Sequence, residues 1–183
     1  MIFNNPAIER SNIILSLGDY HPFWKNKGLG IPNPTFKYDG YSERILDIKR
    51  NMEDAVYFFY DQLDKIICKK VVICVVPSHD PNKKNSGIRT LAKMLAENGR
   101  VDATDCLVRY KRIEKLSDGG KRPIQVHTKS IKAQDIHLIK GKEILLLDDV
   151  TTTGNSLTAC KRMLIDNGAN KVKCLALAKT VKG

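Results

Sequence analysis

The sequence has no long hydrophobic run. Its uninterrupted apolar segments reach only six residues, as in VVICVV, residues 71–76 of 183. A membrane-spanning helix needs roughly 20 apolar residues, so no span and no membrane partner are predicted. The first residues, MIFNNPAIERSN, contain no basic segment followed by an apolar stretch and a small-residue cleavage site. We therefore expect a cytoplasmic protein.

The sequence also has few cysteines, and they are not arranged as metal ligands. None belongs to a C-x-x-C pair, and none has a neighbouring histidine at metal-ligand spacing, which argues against a zinc site. Each lies singly in an apolar stretch, as expected of small buried side chains in a reducing compartment. The five are Cys68, Cys74, Cys106, Cys160 and Cys174.

Positive charge is plentiful and concentrated in one part of the chain. The formal net charge is +11, and residues 109–142 alone carry +7. This segment contains the turn cluster SDGGKRP, so its first half is predicted to form a long mobile loop or a hairpin. A localised basic loop suits an anionic ligand, whereas a solvated charged face is the alternative.

Short β-branched runs alternate with helical patterns from residue 66 onward. This alternation predicts βαβ units, a Rossmann-like parallel sheet flanked by helices, and hence the α/β class. The predicted strands are residues 71–76, 105–108, 143–147 and 172–178. The predicted helices carry apolar stripes at Ile88, Leu91, Ala92 and Leu95, and at Leu157, Cys160, Met163 and Leu164.

The residues before this core are predicted to contain one long helix and a small cap. Ser42 is the predicted N-cap of a single helix. Its apolar face comprises Ile45, Ile48, Met52, Val56, Phe59, Leu63 and Ile66. Residues 12–17 are a candidate strand. We therefore divide the chain into an N-terminal cap or hood, residues 1–40, and an α/β domain, residues 41–183.

The segment ILLLDDVTTTGNS, residues 144–156, has the pattern of a ligand site. A buried strand places Asp148 and Asp149 at its carboxyl end, where open α/β sheets bind ligands. A turn of small hydroxyl residues with Gly154 then leads into a helix, and exposed backbone N–H groups at a helix N-terminus favour an anion.

No G-x-x-x-x-G-K-[ST] motif and no G-x-G-x-x-G motif is present. A ligand with one phosphate and several hydroxyl groups, such as a ribose 5-phosphate unit, fits this pattern.

The same segment resembles the thirteen-residue motif with which type I phosphoribosyltransferases bind phosphoribosyl pyrophosphate (PRPP). The resemblance implies that Asp148 and Asp149 are the catalytic residues and hold the ribose 2- and 3-hydroxyls. It implies that the loop holds the 5-phosphate through Thr151, Thr152, Thr153, Gly154, Asn155 and Ser156. Mg²⁺ would be carried mostly by PRPP and water, without a direct protein ligand.

A second match is VPSHD, residues 76–80, where the family places its pyrophosphate loop. The resemblance implies pyrophosphate binding by Pro77, Ser78, His79 and Arg89. It also implies a flexible basic loop that neutralises the leaving group through Arg109, Lys111 and Arg112, with Lys83 and Lys84 nearby.

Similarity extends to the ComF-like subgroup, although this chain has no cysteine before Cys68 and many ComF-like proteins begin with a cysteine cluster. The subgroup resemblance rests on Tyr41, Lys49, Arg89 with Leu91 and Ala92, and on Arg109, Arg112 and Gln125.

Two functions follow from these resemblances. The first is an enzyme that transfers the phosphoribosyl group of PRPP to a nucleobase or amine and releases pyrophosphate. The second is a non-catalytic PRPP or nucleotide sensor, or a DNA-uptake-associated binding protein, with nucleic acid as an alternative partner. Type I relatives commonly dimerise, so a homodimer is an expectation.

Several side chains have a structural interpretation beside the functional one. Arg89 is either a pyrophosphate ligand or a solvent-facing helix residue. His79 is expected to be a loop histidine rather than a general base, and His127 and His137 are expected at the surface. Trp24 either lines a hood over the acceptor base or packs at the sheet edge.

Overall fold

The computed structural model describes residues 1–26, 30–32, 39–83, 85–114 and 123–181, without the side chains of residues 24–26 and 31. Its helices are α1 (Pro6–Arg10), α2 (Gly40–Lys49), α3 (Glu53–Asp64), α4 (Gly87–Glu97), α5 (Ile124–Thr128) and α6 (Asn155–Asp166), with a short 3-10 helix at Ile136–Leu138. Its strands are β1 (Leu15–Tyr20), β2 (Trp24–Asn26), β3 (Ile31–Pro32), β4 (Val72–Val75), β5 (Val101–Asp102), β6 (Leu107–Arg109), β7 (Ile131–Ala133), β8 (Glu143–Thr151) and β9 (Lys171–Thr180).

The main sheet of the described chain has five strands in the order β1-β9-β8-β4-β5. All four strand pairs are parallel. Two antiparallel pairs, β2 with β3 and β6 with β7, lie outside it. The predicted α/β class with a central parallel sheet flanked by helices is therefore confirmed.

Both faces of the central strands are buried, as expected of a parallel sheet covered by helices. Alternate residues enter the two cores. One core packs against α2, α3 and α4 and takes Ile73, Val75, Leu145, Leu147, Leu175 and Leu177 from the strands. The other packs against α6 and the β6–β7 pair and takes Val72, Cys74, Ile144, Leu146, Cys174 and Ala176.

The prediction of one long helix beginning at Ser42 is wrong. The chain forms two helices, α2 and α3, because Asn51 adopts a positive φ of 61° that interrupts the helical backbone. Met52 is 53% exposed and precedes α3 instead of joining its apolar face. Asp39 is the N-cap of α2, since its carboxylate accepts a 2.7 Å hydrogen bond from the Ser42 backbone N–H.

The N-terminal residues contribute directly to the main sheet. β1 is its edge strand, and Leu15 to Tyr20 replace the predicted strand at residues 12–17. Ile2 and Phe3 are fully buried, and Phe3 forms a bridge with Ile67. The division of the chain at residue 40 stays a prediction, but these residues pack with the α/β core.

Two residues of the subgroup resemblance have structural contacts with β1. The Tyr41 hydroxyl donates a 2.7 Å hydrogen bond to the Leu177 carbonyl, and its ring covers Gly18 so closely that a Cβ there would lie 2.7 Å from Cε1. The Lys49 ammonium lies 4.6 Å from the centroid of the Tyr20 ring. These contacts fix α2 against the edge strand.

The remaining predicted elements differ at their ends. The predicted strand at residues 105–108 forms instead at Leu107–Arg109, and β8 and β9 extend beyond the predicted strands. The five cysteines are free thiols, four of them buried. No helix in the described ranges combines the length and the apolar character needed to span a bilayer.

Candidate active site

The candidate site lies at the carboxyl edge of the main sheet, where β4 ends beside Leu147 and β8 continues to Thr151. Val75 is in register with Leu147, and the Val76 backbone N–H donates a 2.9 Å hydrogen bond to the Leu147 carbonyl. Because the strands are parallel, Asp148 and the loop after β4 emerge at the same edge. The two segments predicted to bind PRPP are therefore neighbours.

The acidic pair is held by local hydrogen bonds and is partly exposed. Asp148 accepts from the Asp149 backbone N–H at 3.0 Å and from the Ser156 hydroxyl at 3.2 Å. Asp149 accepts from the Val150 backbone N–H at 2.7 Å. Burial, together with the neighbouring charge of Asp149, raises the pKa of Asp148 well above its ordinary value.

The turn after β8 leads directly into α6. Gly154 has a φ of 77°, a conformation that costs little only for glycine, and a Cβ there would lie 2.5 Å from Ile14 Cδ1. Its carbonyl accepts the first helical hydrogen bond, from the Thr158 N–H at 2.8 Å. The N-terminal end of a twelve-residue helix, at Asn155, therefore follows the turn that joins it to the acidic strand.

The threonines of the turn have distinct environments. Thr151 is buried, and its Oγ1 has no hydrogen-bond partner within the described ranges. Thr152 shares a 2.9 Å hydrogen bond with Thr180, and Thr153 is exposed. A cleft of about 560 Å³ opens beside them, lined by Asp19, Thr152, Thr153, Lys179, Thr180 and Val181.

The loop after β4 is held in place by Arg109. The structure places Arg109 in β6, only 4% exposed, instead of in a flexible loop. Its guanidinium donates to the carbonyls of Pro77, at 3.3 Å, and Ser78, and to the Ser130 hydroxyl at 2.6 Å. Arg109 is thus a positioning residue that joins the loop to the β6–β7 pair.

The chain after Arg109 follows the same loop. The Ile113 backbone N–H donates to the His79 carbonyl at 3.1 Å, and Arg112 Nη2 lies 3.8 Å from Asp80 Oδ2. Lys111, Arg112 and Lys83 are exposed. The predicted basic segment therefore begins against the predicted pyrophosphate loop, whereas residues 115–122 and Lys84 lie outside the described residues, as does the side chain of Trp24.

Arg89 lies in the first turn of α4 and already has two partners. Its Nη1 donates to the Thr104 carbonyl at 2.7 Å and to Asp105 Oδ1 at 2.5 Å. Only 16% of its side chain is exposed. Arg89 is thus neither solvent-facing nor unpaired, and it anchors the loop after β5.

The exposure of the histidines differs in part from the prediction. His137 is exposed as predicted, but His127 is 2% exposed, so its predicted surface position is wrong. Its Nδ1 lies 3.5 Å from Arg109 Nη2 beneath the β4 loop. His79 is half-buried, with Nδ1 3.4 Å from the Ser78 hydroxyl.

Sequence reasoning missed several residues at this edge. Asp19, Lys179 and Thr180 line the cleft beside the turn, and Ser130 binds the Arg109 guanidinium. Asp19 and Lys179 are register partners on β1 and β9. The sequence shows that Asp19 and Lys179 lie near the ends of two predicted strands. It does not show that these two strands pair, and only the pairing brings the residues together.

The oxygen donors at this edge fit a magnesium ion that arrives with a phosphorylated ligand. Asp148 and Asp149 offer adjacent, partly exposed carboxylates, and Mg²⁺ is commonly bound through one or two carboxylates together with substrate phosphates and water. PRPP and water would carry the ion, and these two residues would lie beside its water shell without ligating it directly. Within the described residues, no group of three or more His, Cys, Asp or Glu side chains is arranged for a metal.

The fold and this edge define a parallel α/β protein with a carboxylate pair and a helix N-terminus at the carboxyl ends of β4 and β8. A family model described as the phosphoribosyl transferase domain matches residues 54–182, well over half of the chain. The chain belongs to the phosphoribosyl transferase domain family, which at the family level indicates phosphoribosyl transfer and PRPP binding. A comparison with curated proteins gave no match.

Proposed function

We propose that this protein is a PRPP-dependent phosphoribosyltransferase that acts on a nucleobase or amine with Mg²⁺ bound to PRPP. The observation that carries the proposal is the arrangement at the sheet edge. The acidic pair on β8, the Gly154 turn and the β4 loop lie together on neighbouring strands. The free thiols favour a cytoplasmic place of action, and a homodimer, implied only by the family resemblance, is part of the same proposal.

Each segment has a role in this proposal. Asp148 and Asp149 accept hydrogen bonds from the ribose 2- and 3-hydroxyls. The 5-phosphate lies at the turn and the start of α6, held by Thr151, Thr152, Thr153, Gly154, Asn155 and Ser156. The pyrophosphate lies against the loop of Pro77, Ser78 and His79, with Lys111 and Arg112 nearby. Arg89 and Arg109 support these loops.

In the reaction, the bond between the anomeric carbon and pyrophosphate breaks, and a bond from that carbon to an acceptor nitrogen forms. The acceptor loses a proton, and pyrophosphate leaves with the bonding electron pair. The ring becomes positively charged in an oxocarbenium-like transition state, as in glycoside hydrolysis. The nearby carboxylates favour that charge, and the basic side chains stabilise the leaving group.

Replacing both carboxylates is expected to weaken PRPP binding at least about tenfold, because charged acceptors make stronger hydrogen bonds than neutral ones. The measurement is calorimetric titration of Asp148→Asn/Asp149→Asn with PRPP and Mg²⁺. Asp54→Asn/Asp61→Asn, on the exposed face of α3, removes the same charge and should bind as the wild type does. Unchanged affinity in the first variant contradicts the site. An assay of pyrophosphate release in the presence of nucleobases and amines then shows whether the protein transfers the phosphoribosyl group or only binds PRPP.

The raised pKa of Asp148 makes the stability depend on pH. The folded state holds this proton more tightly than the unfolded state, where an aspartate has a pKa of about 3.9. The contribution of Asp148 to the free energy of unfolding therefore falls as pH rises from about 4 through the folded pKa. We expect Asp148→Asn to gain stability relative to the wild type as the pH rises above about 4, the unfolded pKa of aspartate.

Urea unfolding at pH 5, 6, 7 and 8 measures this difference. Asp61→Asn, an exposed aspartate on α3, is the control and should follow the wild type. A constant difference between Asp148→Asn and the wild type across these pH values contradicts the assignment.

The exposed charge after Arg109 favours nucleic acid as the second candidate ligand. Residues 109–142 carry +7, and Lys111 and Arg112 are exposed. If these two side chains contact phosphates, Lys111→Gln/Arg112→Gln should reduce the slope of log affinity against log salt by roughly 1.4 to 1.8. Titrations with single-stranded and duplex oligonucleotides measure it, with Lys65→Gln/Lys93→Gln as control. An unaltered slope excludes this contact.

A further inference from the structure

A second cleft, separate from the cleft beside Thr152 and Thr153, lies on the α6 side of the sheet. Its volume is about 540 Å³, within the range of roughly 300–1,000 Å³ typical of small-molecule sites. It runs along one face of α6 and along β9, with the chain before β1 as its third wall. Its walls include Ile13, Ile14, Lys161, Arg162, Ile165 and Lys173.

The cleft exists because β1 covers only part of β9. The register of the two strands begins at Leu15 with Leu175, so β9 residues 171–174 have no β1 partner in the described chain. The residues before β1 pass over this region, where Lys173 donates a hydrogen bond to the Ser11 carbonyl. The opening is thus bounded by strand, helix and an irregular segment.

Positive charge dominates this cleft. Lys161, Arg162, Lys171 and Lys173 line it, against Asp166 alone. Lys171 is paired with Glu9, but Lys161 and Arg162 have no ion-pair partner in the described ranges. Burial and the charges of Lys171 and Lys161 lower the pKa of Lys173, which is 5% exposed. An anion entering the cleft would relieve this repulsion.

The cleft also has apolar walls. Ile13 is 71% exposed and Ile165 is 42% exposed, and Ile14 and Val172 continue the same surface. The amides of Asn12 and Asn170 offer both donors and acceptors beside them. Apolar walls, amides and cations together suit a ligand with a planar heterocycle and a phosphate.

We propose that this cleft binds a nucleoside 5′-monophosphate, with its phosphate at Lys161 and Arg162 and its base against Ile13 and Ile165. Ile14 connects the cleft with the candidate active site, since its Cδ1 lies against Gly154. A ligand that moves the segment before β1 therefore changes the packing of the Gly154 turn. Binding at the cleft does not depend on the proposed function, whereas its coupling to PRPP rests on it.

The test is calorimetric titration of the full chain with AMP, GMP, CMP, UMP and inorganic phosphate. Because a nucleotide can also enter the sheet-edge site, the Asp148→Asn/Asp149→Asn variant is titrated in parallel. We expect that variant to keep one nucleotide site. Lys161→Gln/Arg162→Gln should weaken that site at least tenfold, and Lys65→Gln/Lys93→Gln, which removes the same charge from α4 and the end of α3, should not.

A further variant tests the ligand class. Ile165→Gln should weaken nucleotide binding without changing the affinity for inorganic phosphate. The coupling between the cleft and the candidate active site is measured as the change in PRPP affinity when the nucleotide that binds the cleft most tightly is present. This change should be lost in Lys161→Gln/Arg162→Gln.

Four results overturn the binding proposal: no nucleotide binding, binding that disappears with Asp148→Asn/Asp149→Asn, binding that is unchanged in Lys161→Gln/Arg162→Gln, or equal binding of inorganic phosphate and nucleotides. Nucleotide binding without any effect on PRPP affinity overturns only the coupling. PRPP titration of the wild type tests the proposed function separately, so its failure is distinguishable from failure at the cleft.

Discussion

Replacing Arg100 with methionine is expected to lower the free energy of unfolding by about 3–5 kcal/mol, the usual result of removing one partner from a buried ion pair. The Arg100 side chain is fully buried and pairs with Asp64 at 2.6 Å. It also donates to backbone carbonyls at the ends of α3 and α4 and before β4: those of Asp64, Ile67, Cys68, Leu95 and Asn98. Methionine fills similar space but leaves these acceptors without their donor.

Urea denaturation of Arg100→Met and the wild type measures the difference. Arg50→Met is the control, because Arg50 is 68% exposed and its pair with Asp47 is a surface contact within one helix end. Arg100 precedes β5 and so lies at the edge of the sheet opposite the acidic pair. The folded variant should therefore keep its PRPP affinity. A loss of stability no greater than that of Arg50→Met contradicts the structural role of Arg100.

The parallel sheet was predictable because its signals are local. The runs at residues 71–76 and 143–147 are apolar on both faces, as buried parallel strands must be. The stripe of Ile88, Leu91 and Leu95 has helical spacing and ends at Asn98 and Gly99. The acidic pair followed by a Gly-containing turn is equally local, so the sequence alone predicts the site segment.

The break between α2 and α3 was not predictable from periodicity. Met52 occupies the position that continues the apolar stripe, and neither glycine nor proline marks the interruption. Asn51 takes the left-handed conformation, and its side-chain carbonyl accepts a 2.8 Å hydrogen bond from the Thr90 hydroxyl on α4. A contact across the fold therefore stabilises a backbone conformation that the local sequence only permits.

The buried polar residues were missed for a related reason. Arginine and histidine are usually exposed, so the sequence predicts Arg109 in a loop and His127 at the surface. Their partners come from segments far along the chain, such as the β4 loop that Arg109 binds. No periodic pattern marks a charged side chain whose burial is compensated by distant carbonyls.

The second large effect concerns Arg109, whose replacement with methionine is expected to lower the free energy of unfolding by about 3 kcal/mol or more, since several buried acceptors lose a charged donor. The carbonyls of Pro77 and Ser78 and the Ser130 hydroxyl would all lose their contacts. The β4 loop would then lose its contacts with the Arg109 side chain, while its contacts with Ile113 and Arg112 remain. Under conditions where the variant stays folded, PRPP binding should also weaken, because the predicted pyrophosphate loop is displaced.

Arg109→Lys distinguishes two contributions of Arg109, namely the hydrogen bonds that position the β4 loop and the positive charge beside it. Lysine keeps the positive charge but lacks the planar fork that reaches two carbonyls and a hydroxyl together. We expect it to lose most of the stability and PRPP affinity that Arg109→Met loses. The control is Arg50→Lys, an exposed arginine at the end of α2, which should resemble the wild type in both measurements. Wild-type stability and PRPP affinity in Arg109→Lys would mean that charge near the loop suffices. The loss of both would mean that the site needs the guanidinium that binds the loop carbonyls, because the positive charge alone does not replace it.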